Sequence, residues 1–154
     1  MRRFLLGLTI CVLLAGGLAA QETDRREAEP APAARFRAVD VFVDSGASAL
    51  AAYQLELAAE VGAVKIVGVE GGEHSAFREP PYYDPAAISR DHVILAAFST
   101  QKDLPKGRTR VARIHVQITG DVEPEYALKL TTAALPDGTR ISAKVSLAEQ
   151  GEAK

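Results

Sequence analysis

The feature that most limits what this chain can fold into is a hydrophobic period of two, repeated in segment after segment. It is clearest over 110–119, where Ala112, Ile114, Val116 and Ile118 alternate with Val111, Arg113, His115 and Gln117. Val39, Val41 and Val43 alternate with Asp40, Phe42 and Asp44, and Tyr53, Leu55 and Leu57 with Gln54 and Glu56. Leu128 and Leu130 alternate with Lys129 and Thr131, and Ile141, Ala143, Val145 and Leu147 with Ser142, Lys144 and Ser146. Successive side chains of a strand point to opposite faces, so each segment buries one face and wets the other. The Ala-, Leu- and Glu-rich stretch 47–60 keeps this period and is read as strand, with a helical turn expected only over 86–89. Two runs, 64–69 and 93–98, are apolar on both faces, as in central strands covered on both sides.

Turn chemistry separates these runs: Asp44-Ser45-Gly46, Glu60-Val61-Gly62, Gly71-Gly72, Pro105-Lys106-Gly107, Gly120-Asp121 and Pro136-Asp137-Gly138. Short strands at fairly regular spacing, with turns between them, predict an all-β fold: a single jelly-roll-like antiparallel β-sandwich over 36–148. Its expected core holds Val41, Tyr53, Leu55, Leu57, Ile66, Val93, Leu95, Ile114, Val116, Leu128, Leu130 and Val145.

Ahead of this domain, Arg2 and Arg3 precede an apolar run over 4–14, and Ala15-Gly16-Gly17-Leu18-Ala19-Ala20 supplies small residues for cleavage. That is the layout of a secretory signal peptide over 1–20, cut after Ala19 or Ala20. The alternative is an uncleaved anchor, which the short apolar stretch and Gly7, Gly16 and Gly17 disfavour. A lipoprotein cysteine belongs after the apolar core, whereas Cys11 lies inside it. Residues 21–35 are charged and rich in alanine and proline, with no large apolar side chain, which reads as a disordered flexible tether. A polar tail is expected over 149–154. The expected location is extracytoplasmic, periplasmic or secreted.

Cys11 is the only cysteine, so the exported domain has no disulfide, no thiol nucleophile and no thiolate metal ligand. Stability must then come from the core, and a mature chain of about 130 residues buries roughly two-thirds of its surface on folding. Removing Arg2 and Arg3 takes the formal charge from −2 to −4. That mild acidity argues against nucleic acid or an anionic membrane as partner.

The order of elements carries a resemblance. Val39-Asp40-Val41-Phe42-Val43-Asp44-Ser45-Gly46 leads to Leu50-Ala51-Ala52-Tyr53-Gln54-Leu55-Glu56-Leu57 and then to Val64-Lys65-Ile66-Val67-Gly68-Val69-Glu70-Gly71. This resembles the opening of a cohesin-type domain, and 92–99 and 110–119 are similar to its later strands. The resemblance spans about 36–147 and implies the nine-stranded jelly-roll sandwich that cohesins share with the cellulose-binding-module superfamily. It also implies a non-catalytic module that holds a protein partner. The family's Tyr-Asp-Pro after the aromatic–Gln strand is replaced here by Ala58-Ala59-Glu60-Val61-Gly62, while Tyr83-Asp84-Pro85 stands in a later loop.

That loop, 74–91, is long for a sandwich connection and carries three prolines, Phe77, Tyr82 and Tyr83. Phe77, Tyr82, Tyr83 and Asp84 are the candidate binding residues. Rigid loops that display aromatics suit protein interfaces and the stacking of sugar rings, so the expected ligand is a protein partner or a polysaccharide. The same tyrosines also suit a lid that packs on the open end of the core. Asp40, Asp44, Glu70, Glu73, Asp84 and Asp91 form a pool of acids without the spacing of a calcium loop, and turn caps and solvated faces account for them. His74, His92 and His115 lack zinc-ligand spacing, and no glycine motif surrounds Ser45, Ser75 or Ser99 as a nucleophile elbow would require. Gly71-Gly72 reads as a turn, since no phosphate-loop pattern follows it. No cofactor, metal site or catalytic residue is expected, and a hydrolase is the least favoured reading.

Overall fold

The computed structural model describes residues 33–150. The leader, its alternative as an anchor, and the tether up to residue 32 lie outside the described residues. Seven strands are present: β1 (Ala34–Asp44), β2 (Ala52–Val61), β3 (Ala63–Gly71), β4 (His92–Phe98), β5 (Arg108–Thr119), β6 (Glu125–Ala134) and β7 (Lys144–Gln150). They form two antiparallel sheets in the orders β3-β5-β1-β7 and β4-β2-β6. The fold is an all-β sandwich, with seven strands among the described residues where the resemblance implied nine. β1 begins at Ala34, inside the expected tether, because Ala34 pairs with Thr119. At the other end β7 takes in Glu149 and Gln150 from the expected polar tail.

Odd-numbered strands make one sheet and even-numbered strands the other, so every connection between strands passes from sheet to sheet. The turn signals in the sequence therefore mark corners rather than hairpins between paired strands. Gly62 is the sharpest case. It is the single residue between β2 and β3, at φ +88°, a left-handed conformation that glycine adopts without a Cβ clash. Pro136-Asp137-Gly138 alone makes a local hairpin. There Thr139 N–H donates to Asp137 Oδ1 at 2.9 Å, and Ala134 bridges Arg140 just past the end of β6.

The inward faces meet in one core. Val39, Val41 and Val43 of β1 and Ile114, Val116 and Ile118 of β5 face Leu55 and Leu57 of β2 and Val93 and Leu95 of β4, all fully or almost fully buried. Each such side chain contributes about 1.5–3 kcal/mol of transfer free energy. Tyr53 is also buried, and its hydroxyl donates to the Val111 carbonyl at 3.0 Å, so the ring enters the core without an orphaned polar group.

Three expectations change. Leu128, Leu130 and Val145 are only partly buried, because they sit on β6 and β7, edge strands whose flank is crossed by the short 135–143 connection alone. Val111, read as an outward residue, is fully buried. The ladder between β1 and β5 shifts register between Val41 and Phe42, and this bulge turns both Val111 and Ala112 inward. Most consequential, the runs 64–69 and 93–98 form β3 and β4, which are edge strands. Their second apolar face is left uncovered: Val67 is 40% exposed, Ile94 46% and Phe98 69%.

The outer face of the four-stranded sheet is mixed, with charged pairs beside the exposed Phe36 and Val67. Asp40 lies there almost wholly buried, taking Arg113 Nε at 2.7 Å and Nη2 at 3.0 Å, with Arg110 at 3.8 Å. Such a two-pronged charged bond compensates the desolvation of the carboxylate. Arg108 lies 3.4 Å above the Phe42 ring on the same face.

Candidate functional site

Residues 72–91 leave β3, cross the flank of the sandwich and return as β4. The entry is tight. A Cβ on Gly71 would stand 1.9 Å from the Arg78 carbonyl oxygen, and one on Gly72 would stand 2.3 Å from that of Arg110. Glu73 fastens the start to β5: its carboxylate accepts the Arg110 N–H at 2.9 Å, and its own N–H donates to the Arg110 carbonyl at 3.0 Å. A single 3-10 turn follows over Ser75–Phe77, capped by His74 Nδ1 accepting from Ala76 N–H.

This turn drives Phe77 into the core. The residue is 3% exposed, and its ring meets Tyr53 edge-on at 5.3 Å. Phe77 is thus a plug between the sheets and is unavailable to a ligand, which corrects its place among the binding residues. Pro80 and Pro81 then stiffen the chain before Tyr82, whose backbone exchanges two hydrogen bonds with Ala96 of β4, at 2.8 and 3.0 Å. Tyr83 is partly buried against the core. Asp84 is exposed and accepts the Ala86 N–H at 2.9 Å, capping the second 3-10 turn, Pro85–Ala87. That turn overlaps the expected helical turn and buries Ala87.

Ser89 closes the crossing with φ 73°, rare outside glycine. Its N–H donates to the Ile66 carbonyl at 2.7 Å, and Ile66 N–H donates to the Arg90 carbonyl at 2.7 Å. The crossing therefore bonds to both edge strands, β4 through Tyr82 and β3 through Ser89 and Arg90.

Of the three predicted aromatics the structure leaves Tyr82 as the displayed one, at 76% exposure, with the exposed Asp84 nearby as a turn cap. Tyr82 has company that the sequence reading missed. Residues directly opposite in an antiparallel pair share a face, so Tyr82 points the same way as Ala96, with Ile94 and Phe98 as diagonal neighbours. Ile94, Tyr82 and Phe98 form one apolar strip, about 13 Å from Ile94 to Phe98 at ordinary strand rise. Tyr82, Phe98, Pro80, Pro81 and Glu79 line a concavity of about 180 Å³. Ile94, Ala87, Arg90, His92 and Asp84 line another of about 210 Å³. The signal for Ile94 and Phe98 was present as the two-faced apolar run. Such a run fits a covered central strand and a displayed edge strand equally, and only the sheet order separates the two.

Beyond the strip, the outer face of β2 offers Ala52, Gln54, Glu56 and Ala58 beside Phe98, Ala96, Ile94 and His92. The surface is mixed, its aromatics confined to one margin. The remaining candidate groups are occupied in the framework. His92 pairs with Glu56 and His115 with Glu70, both at 2.8 Å, and His74 lies 3.7 Å from Asp103. Among the described residues no three metal-ligating side chains of His, Cys, Asp or Glu come together. Shifted ionisations mark structural contacts. Burial raises the Tyr53 hydroxyl, a hydrogen bond from Arg37 lowers the Glu123 carboxyl, and the Thr139 backbone lowers Asp137. Compared with protein-family models, curated proteins and solved structures, the chain matches none of them.

Proposed function

We propose that this protein is an exported, non-catalytic binding module that holds a protein partner on the strip formed by Ile94, Tyr82 and Phe98. One observation carries the reading: an edge strand apolar on both faces displays its uncovered face beside the most exposed aromatic of the long loop. Aromatic side chains with a polar tip, displayed on a fixed backbone, are the residue class that dominates protein interfaces. The mixed face of the three-stranded sheet extends this surface, as a protein partner requires. The cohesin-like order of strand motifs supports the same assignment. The leader supports export, and intact mass of material from outside the cytoplasmic membrane tests it, with loss of the first 19 or 20 residues expected.

A carbohydrate-binding module is the second reading, favoured by two exposed rings, Tyr82 and Phe98, in one concavity. One experiment separates the two. The mature protein and its Tyr82→Ser/Phe98→Ser variant are used for capture from the envelope fraction of the producing organism, and both are applied to a glycan array. Capture of a defined protein that the variant loses, with melting temperature held, supports the proposal. Glycan binding lost in the variant moves the assignment to the second reading, and capture unchanged by the substitutions ends the claim on this strip.

A further inference from the structure

β6 and β7 lie side by side on the flank opposite the long loop. Their inward residues Leu128, Leu130, Val145 and Leu147 are only partly buried there. Just past the end of β6, Arg140 and Ile141 bond back to Ala134 and Ala133. β7, by contrast, pairs with β1 alone, and among the described residues no backbone bond reaches its other side. An unpaired edge of this kind is a template for another strand.

The other flank shows how this sandwich closes such a gap. There residues 72–91 add a strand-like bridge at Tyr82 to the β4 edge and, from two 3-10 turns, set Phe77 and Ala87 between the sheets. Charge at the open flank favours a particular guest. Lys144 stands at the start of β7, and Arg140 lines the adjoining concavity of about 230 Å³. Neither of these two cations has an ion-pair partner among the described residues.

We propose that β7 is an acceptor edge for an extended, acidic-ended segment of a partner protein. The segment adds antiparallel to β7 and makes the four-stranded sheet five-stranded. Alternate apolar side chains lie over Val145, Leu147, Leu128 and Leu130, and its C-terminal acids reach Lys144 and Arg140. An antiparallel guest runs opposite to β7, which places its C-terminal end at Lys144. Edge lysines deter an uncharged or basic strand, including a second copy of β7, and welcome an acidic one. This site is separate from the strip on β4.

The probe is a synthetic heptapeptide alternating valine and threonine and ending in two aspartates, added to the full mature protein. Amide hydrogen exchange is followed residue by residue. Binding should slow exchange by about tenfold or more at β7 amides that face away from β1, and leave β4 unchanged. The Arg140→Glu/Lys144→Glu variant, both exposed positions, should fold and lose most of this protection. Methylating alternate peptide nitrogens that face β7 should abolish it. Protection on β4 instead, no protection at millimolar peptide, or protection indifferent to N-methylation or to the charge reversal would overturn the proposal. So would β7 protection that rises with protein concentration without peptide, which would assign the edge to a second copy.

Discussion

On the flank where β3 and β4 are the edge strands, residues 72–91 cross the gap, bond to both edges and fill it with Phe77 and Ala87. Where β6 and β7 run side by side, only the short 135–143 turn bridges them, and their inward leucines and valine stay half-wet. The hydroxyls repeat the contrast. Tyr53, against the plug, donates a hydrogen bond to the Val111 carbonyl, whereas the buried hydroxyl of Tyr126, at the open flank, has no hydrogen-bond partner among the described residues. One flank is finished by the chain and the other is left short of contacts, although the strands on both sides carry the same alternating pattern. All four strands are edges, so what crosses the flank, rather than residue type or edge position, decides how much burial an inward residue receives.

The strongest way to break this comparison is to remove the plug. Phe77→Ala should cost about 3–5 kcal/mol, as truncation of a packed core aromatic does. Gly71→Ala should cost a comparable amount, because its Cβ meets backbone at 1.9 Å and the loop entry must move. Urea denaturation of both variants measures it, and a loss below about 1 kcal/mol would mean that the loop is not a seal.

A middle-sized effect is expected at the open flank. Leu147→Ala should cost about 1–2 kcal/mol, below the range for fully buried leucines, because half-buried side chains forfeit less area. If it matched Phe77→Ala, the flanks would be energetically alike and the contrast would fail.

Smaller still is the difference between neighbouring tyrosines. Tyr83→Ala should destabilise by about 1–2 kcal/mol through its contact with the core, while Tyr82→Ala should stay within about 0.5 kcal/mol. Thermal melts of the single variants separate lid from display. Equal losses would show that Tyr82 is also part of the seal.

Titration sharpens the comparison further. Burial raises the Tyr126 hydroxyl from 10 to about 12 and moves the Tyr53 hydroxyl up as well. A raised folded value means stability that is fully present below 10 and is lost as pH rises through the folded value. Alkaline unfolding should therefore begin earlier in wild type than in Tyr126→Phe, measured by circular dichroism from pH 9 upward. On the acid side the lowered carboxyls of Glu123 and Asp137 work in the opposite sense. Their contribution is present above the ordinary carboxylate range and fades as pH falls through the depressed values. Glu123→Gln should flatten the acid limb of the stability curve, and an unchanged limb would remove Arg37–Glu123 from the account.

The sequence by itself determined the class of this protein. Period two in β1, β2 and β5 settles strand over helix, because only a pleated chain puts alternate residues in one core. It also picked out Val41, Tyr53, Leu55, Leu57, Ile66, Val93, Leu95, Ile114 and Val116, since all of these lie where the two inward faces oppose each other. The long aromatic loop was legible as well, from its length and its prolines. Tertiary structure alone decided which strands are edges, and hence that 64–69 and 93–98 expose their second face while Leu128, Leu130 and Val145 are incompletely covered. It alone separated Phe77 from Tyr82, five residues along the same loop, as plug and display. Local pattern reports what a residue prefers to face, but neighbours far along the chain decide what it does face, and in this sandwich no two consecutive strands pair.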